Sequence, residues 1–138
     1  MKKTISQLKK ELDKWFSLYI RLRDATEVTG VCQCFTCEKV DHYKNGGMQC
    51  GHFQSRRHLS TRWNEQNCQV QCVGCNMFKQ GEQWKFGLRL DYKYGEGTSE
   101  ELEVLALKTH KKLKWEYIDD ISYYKNFVKN LKEEKKIL

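Results

Sequence analysis

Cys34-Phe35-Thr36-Cys37 and Cys72-Val73-Gly74-Cys75-Asn76 decide how this chain is read. They form two C-x-x-C knuckles with 34 residues between their inner cysteines. Each knuckle is a tight turn that aims two sulfurs at one point. Four thiolates so gathered suit one tetrahedral zinc, a borderline-soft ion that favours sulfur in closed structural sites. A single C-x-x-C is equally compatible with redox chemistry, but two on one short chain point to a structural zinc on Cys34, Cys37, Cys72 and Cys75. The other cysteines, Cys32, Cys50 and Cys68, read as buried thiols, and Cys50 lies close enough to His52 to be mistaken for a ligand.

The 138 residues suggest one compact domain, divided as 1–29, 30–95 and 96–138. A core of this size is modest, and a metal staple would strengthen it. With 39% hydrophobic and 31% charged residues the composition is globular. No apolar run is long enough to span a bilayer. The basic start Met1-Lys2-Lys3 is followed by Leu8–Leu12 broken by charge, unlike a signal peptide. The expectation is a reducing cytoplasm, where thiols bind metal rather than form disulfides. A net charge of +7 favours a polyanionic partner, though ordinary solubilising charge would look similar.

Residues 4–26 read as an amphipathic helix with Leu8, Leu12, Trp15, Phe16, Tyr19 and Leu22 inward and Thr4 or Ser6 as its cap. Residues 31–44 read as a hairpin arm carrying the first knuckle, with a turn at Asn45-Gly46-Gly47. Met48–Gln54 is a short strand bearing His52, and Cys68–Cys72 a returning strand. Arg56-Arg57-His58 and Thr61-Arg62 fall in a polar loop. Helices are predicted over 75–80, 82–93, 99–110 and 118–135, with Thr98 and Glu101 forming a capping box and the tail 132–136 frayed. Ile121, Tyr124, Val128 and Leu131 make a narrow apolar stripe that reads equally as core or as a dimer seam.

If one zinc joins the knuckles, Asn76 is held beside the strand that carries His52. This arrangement resembles the HNH, or ββα-metal, nucleases built on a treble-clef zinc site, phage endonuclease VII among them. A finer resemblance is carried by Cys-x-x-Cys, then Gly51-His52-Phe53, Arg62-x-Asn64-Glu65-x-Asn67, Gln71-Cys72-x-x-Cys75-Asn76 and Lys79-x-Gly81. That set looks like the NinG/Rap family of phage recombination proteins, and it covers residues 30–95 best. The resemblance implies an α+β treble-clef core flanked by helices. It implies a metal-dependent endonuclease acting on Holliday junctions or other branched DNA, leaving a 5′-phosphate and a 3′-hydroxyl, in a phage or prophage setting. His52 would be the general base, Asn67 would orient the loop or the base, and Asn76 would bind a catalytic Mg²⁺ or Mn²⁺. HNH enzymes place an Asp or His metal ligand directly before the base, where this chain has Gly51, and the NinG pattern has an Asp three residues before it, where this chain has Gln49. Glu65, the Gln49 amide or water is then the candidate second ligand.

The chemistry also stands on the residues themselves. Phosphodiester hydrolysis needs a base within reach of the attacking water, and neutral imidazole serves near pH 7. It needs positive charge at the phosphate, which Arg56, Arg57, Arg62 and Lys79 are placed to supply. A junction offers two strands to cut, so a homodimer is expected. The rival readings are a non-catalytic zinc module that binds nucleic acid and a protein-binding zinc finger of the RING or ribbon kind.

Overall fold

The computed structural model describes residues 2–44 and 46–138; Asn45, in the expected turn, lies outside them. The chain is a mixed α+β fold. Helix α1 (Ile5–Arg23) leads into a small antiparallel sheet of β1 (Val31–Gln33) and β2 (Val40–His42). A second antiparallel sheet pairs β3 (Met48–His52) with β4 (Cys68–Cys72). The short helix α2 (Leu59–Arg62) lies between those strands, where the sequence suggests only loop. A π-helical turn (Gly74–Phe78) follows β4, and α3 (Gln83–Tyr94), α4 (Thr98–Ala106) and α5 (Lys114–Glu134) complete the chain.

Thr4 caps α1 as expected: its hydroxyl accepts from the Gln7 amide at 3.1 Å, and the Gln7 side chain accepts from the Thr4 amide at 2.9 Å. The apolar face of α1 (Leu8, Leu12, Phe16, Ile20) packs on α5 and on the β3–β4 sheet. Tyr124 meets Phe16 edge-on at 5.0 Å and Tyr19 at 5.2 Å. Ile121, Tyr124 and Val128 are therefore buried within this chain. The stripe is core, and the dimer seam proposed for it is not available there. Burying each such side chain contributes about 1.5–3 kcal/mol.

Two further expectations are corrected. No capping box forms at α4. Gly97 (φ 95°) caps the helix without a side chain, so Thr98 is its first residue and donates to the Gly95 carbonyl at 2.7 Å. Asp91 instead accepts from the Ser99 amide at 2.8 Å and the Ser99 hydroxyl at 3.0 Å. The tail does not fray: the Lys135 ammonium donates to the carbonyls of Leu22, Arg23 and Ala25 at 2.7–2.8 Å, capping α1, and Ile137 is buried. On α3 the inward residues are Phe86, Gly87 and Leu90, whereas Trp84, Leu88 and Tyr92 are exposed. Phe86 and Leu90 join Phe53 and Leu102 in a second, smaller apolar cluster. Among the described residues, no helix is long and apolar enough to cross a membrane.

Candidate functional site

The first knuckle is the turn between β1 and β2. The Cys34 amide donates to Lys39 O at 2.7 Å, and the Glu38 amide closes the turn on Cys34 O at 3.1 Å. Glu38 adopts the left-handed conformation that so tight a reversal needs (φ 68°). The second knuckle spans the end of β4 and the π-helical turn. Its ligand atoms join those of the first: the sulfurs of Cys34, Cys37, Cys72 and Cys75 all lie within 4.8 Å of one another. Cys37 and Cys72 are 3.5 Å apart, and the Cys75 amide points at the Cys72 sulfur at 3.5 Å. Burial pushes the Cys34 thiol up, but amide and hydroxyl donors around its sulfur outweigh this and bring it down to about 6. The four cysteines could hold a metal ion such as zinc.

Antiparallel pairing of β3 with β4 sets Gln49 opposite Gln71, Gly51 opposite Gln69, and His52 opposite Cys68. The buried Gln71 amide donates to the Thr36 hydroxyl at 3.1 Å, inside the first knuckle, and to Gly81 O at 2.9 Å. Its body lies over Gly51, where an added β-carbon would come within 2.7 Å of Gln71 Cδ. The position directly before His52 therefore holds glycine because the knuckle brace occupies the space a side chain would need.

His52 donates through Nε2 to the Arg62 carbonyl at 2.9 Å. A carbonyl only accepts, so Nε2 carries the proton and Nδ1 keeps its lone pair. Burial is the main cause that pushes the His52 imidazolium down to about 4; the Arg62 carbonyl and Asp13 oppose the shift, and Arg56 adds to it. The ring is thus neutral near pH 7. His52, Gln49, Cys50, Arg56 and Asn76 line a cavity of about 390 Å³, which Asp13 and Phe16 of α1 close on one side. The π-helical turn brings Asn76 there. Its closing bond, Lys79 amide to Gly74 O at 2.9 Å, widens the turn by one residue, with Cys75 in the sulfur cluster and Asn76 on the cavity. Asn76 Nδ2 donates to Gln49 Oε1 at 2.8 Å.

The remaining sequence-picked residues are distributed less simply. Asn67 is fully buried and does not line the cavity. Its Nδ2 donates to Gln54 O at 3.1 Å and Thr61 O at 3.0 Å, and its Oδ1 accepts from the Gln54 amide at 2.7 Å. It braces the loop that ends in the Arg62 carbonyl. Glu65 accepts from the hydroxyls of Tyr19 at 2.7 Å and Tyr124 at 3.1 Å, joining α1 to α5, and is not gathered with Asn76. Arg62 and Arg56 both donate to Asp13, each to Oδ2, at 2.6 and 2.8 Å. Arg57 is exposed, and Lys79 is exposed with Glu82 at 3.9 Å. Asp13 is the residue that sequence reasoning missed. It also accepts from the Trp63 indole at 3.0 Å, so one carboxylate orders three side chains 43–50 residues away in sequence. On α1 it has only the look of a polar-face residue.

A family model described as the Bacteriophage Lambda NinG protein matches residues 1–135. The chain belongs to the NinG family. NinG proteins are phage recombination-associated, and the match extends over α1 and all of α5 as well as the cysteine-bearing core. Neither a search of curated proteins nor one of solved structures finds a match to this NinG-family chain.

Proposed function

We propose that this NinG-family protein is a metal-dependent DNA endonuclease of the HNH type, on a treble-clef core stapled by zinc at Cys34, Cys37, Cys72 and Cys75. Its proposed substrate is branched DNA such as a Holliday junction. The observation that carries the reading is that His52 and Asn76, 24 positions apart in the sequence, line one cavity beside the four-cysteine cluster. Family membership and the net charge of +7 support a nucleic-acid partner.

In this reading His52 Nδ1 takes the proton of the attacking water while Nε2–H stays on the Arg62 carbonyl, which fixes the tautomer and the tilt of the ring. Asn67 is a positioning residue that holds the loop bearing that carbonyl. Arg56, aimed by Asp13, meets the non-bridging phosphate oxygens; Arg57 and Lys79 contact the backbone on either side. Arg62 serves the site through Asp13 rather than through phosphate. Asn76 Oδ1, with Gln49 beside it, would hold a Mg²⁺ or Mn²⁺ ion, which when bound supplies the positive charge needed at the phosphate and the leaving oxygen.

A second reading has one observation in its favour. The amide pair Asn76–Gln49 is uncharged, and Glu65 is engaged elsewhere, which suits a zinc-stabilised module that binds branched DNA without cutting it. Incubation of a four-way junction with Mg²⁺ and either the parent or His52→Ala separates the two. Cleavage by the parent alone supports the nuclease. Binding by both with no cleavage supports the module, and no salt-sensitive binding by either rejects both.

A further inference from the structure

Cys50 and His52 stand two residues apart on β3, so both side chains leave the same face of the strand. Cys68 is the direct cross-strand partner of His52 on β4, which puts its side chain on that face too. As a result the sulfurs of Cys50 and Cys68 and a ring nitrogen of His52 lie within 4.8 Å of one another. None of the three belongs to the four-cysteine cluster. A tetrahedral zinc with Zn–S bonds of about 2.3 Å sets two sulfurs about 3.8 Å apart, so closing on an ion asks the side chains to draw in by no more than about 1 Å.

The surroundings suit an ion. Cys68 is fully buried, while Cys50 and His52 line two cavities through which an ion could enter. The Arg62 carbonyl receives His52 Nε2 at 2.9 Å and lies 3.4 Å from the Cys68 sulfur, so the ring has a backbone acceptor of the kind that steadies metal-binding histidines. Two thiolates and Zn²⁺ are neutral together, which limits the cost of placing them in a half-buried site.

We propose that Cys50, His52 and Cys68 form a second zinc site, distinct from the four-cysteine centre, with its fourth coordination position open to the cavity. Binding releases two thiol protons to water and uses a lone pair of His52. The regulatory consequence rests on the reading of His52 as the base: an ion held here takes that base out of service, so zinc beyond the first equivalent inhibits the Mg²⁺-supported reaction. The metal site itself does not depend on that reading.

The test counts metal. Protein as purified is given excess zinc, freed of unbound ion and analysed by mass spectrometry for zinc per chain. In parallel, Co²⁺ is titrated in and thiolate-to-cobalt absorption is followed. The parent is expected to hold two equivalents, and Cys50→Ser and Cys68→Ala one each, with Cys72→Ser weakening the other. Cys50 is half-buried, so its serine variant should fold; retention of one equivalent and of the circular dichroism spectrum verifies this. A parent that holds one equivalent, or a Cys50→Ser variant that still holds two, overturns the proposal. In a junction-cleavage assay, a second equivalent of zinc should slow the parent at least tenfold and leave Cys50→Ser unaffected. A parent that never cleaves, even with Mg²⁺ alone, rejects the nuclease reading while the metal count still decides this site.

Discussion

Gln71 fills the space over Gly51: a β-carbon on that glycine would sit 2.8 Å from Gln71 Cγ and 2.7 Å from Cδ. Gln71 is held there by its bonds to Thr36 and Gly81, so it cannot give way without loosening the first cysteine knuckle. Installing the acidic residue that HNH enzymes carry at this point should therefore damage the protein rather than improve it. Gly51→Asp is expected to lower stability by about 3 kcal/mol or more, from overpacking and an unpaired buried charge. Urea denaturation of the zinc-loaded protein reads this, and a Gly51→Asp variant as stable as the parent would refute it.

Glu65 ties two tyrosine hydroxyls from different helices to one carboxylate. Glu65→Gln keeps one acceptor oxygen and loses the charge, so a cost of about 1–2 kcal/mol is expected. Junction cleavage at saturating Mg²⁺ should stay within about threefold of the parent at a temperature where both are folded, a change worth under about 1 kcal/mol. A rise in the Mg²⁺ concentration needed for cleavage, with stability unchanged, would instead mark Glu65 as a ligand.

Asp13 and Arg62 are coupled through two hydrogen bonds, at 3.1 and 2.6 Å, with both side chains mostly buried. Removing Asp13 strands the Arg62 guanidinium, at a cost of about 2–3 kcal/mol, whereas removing Arg62 costs less because Arg56 and the Trp63 indole still donate to Asp13. The double variant Asp13→Asn/Arg62→Gln should cost less than the two singles summed, by about 1–2 kcal/mol. Additive losses would mean that the pair contributes nothing as a pair.

Neutral His52 makes stability depend on pH. Its folded value is depressed to about 4 from 6.5, chiefly by burial. As pH falls below 6.5 the unfolded chain takes up a proton that the native ring refuses, so stability drops until the native ring itself protonates near 4. Between pH 7 and pH 5 this contribution is about 2 kcal/mol. His52→Gln should remove that share of the pH dependence in denaturation experiments. A His52 ring that titrates near 6.5 by NMR would contradict it.

Much of the arrangement could be read from local sequence, because its determinants are close together. The cysteine spacing pointed to the sulfur cluster, and the short apolar strands to the β3–β4 pair. Asn76, directly after Cys75, is carried to the cavity by the same turn that delivers the sulfur. What could not be read depends on distant partners. Asp13 meets residues 43–50 positions away, and Lys135 meets carbonyls 110–113 positions away, distances at which no periodicity survives. The stripe on α5 was ambiguous because a core helix and a dimer seam use the same spacing, and only the facing rings of Phe16 and Tyr19 decide between them. Thr98 misled for a local reason: Gly97 ends the preceding loop one residue earlier than a side-chain cap would.

The wall that α1 gives the cavity has a practical consequence for engineering. Asp13 and Phe16 come from a helix that precedes the first knuckle, and Asp13 sets the direction of Arg56 from across the cavity. A transplant of the cysteine-bearing segment alone into another scaffold would carry His52 and Asn76 but leave their pocket open on one side. A portable version would have to take α1 with it, together with α5, on which α1 rests.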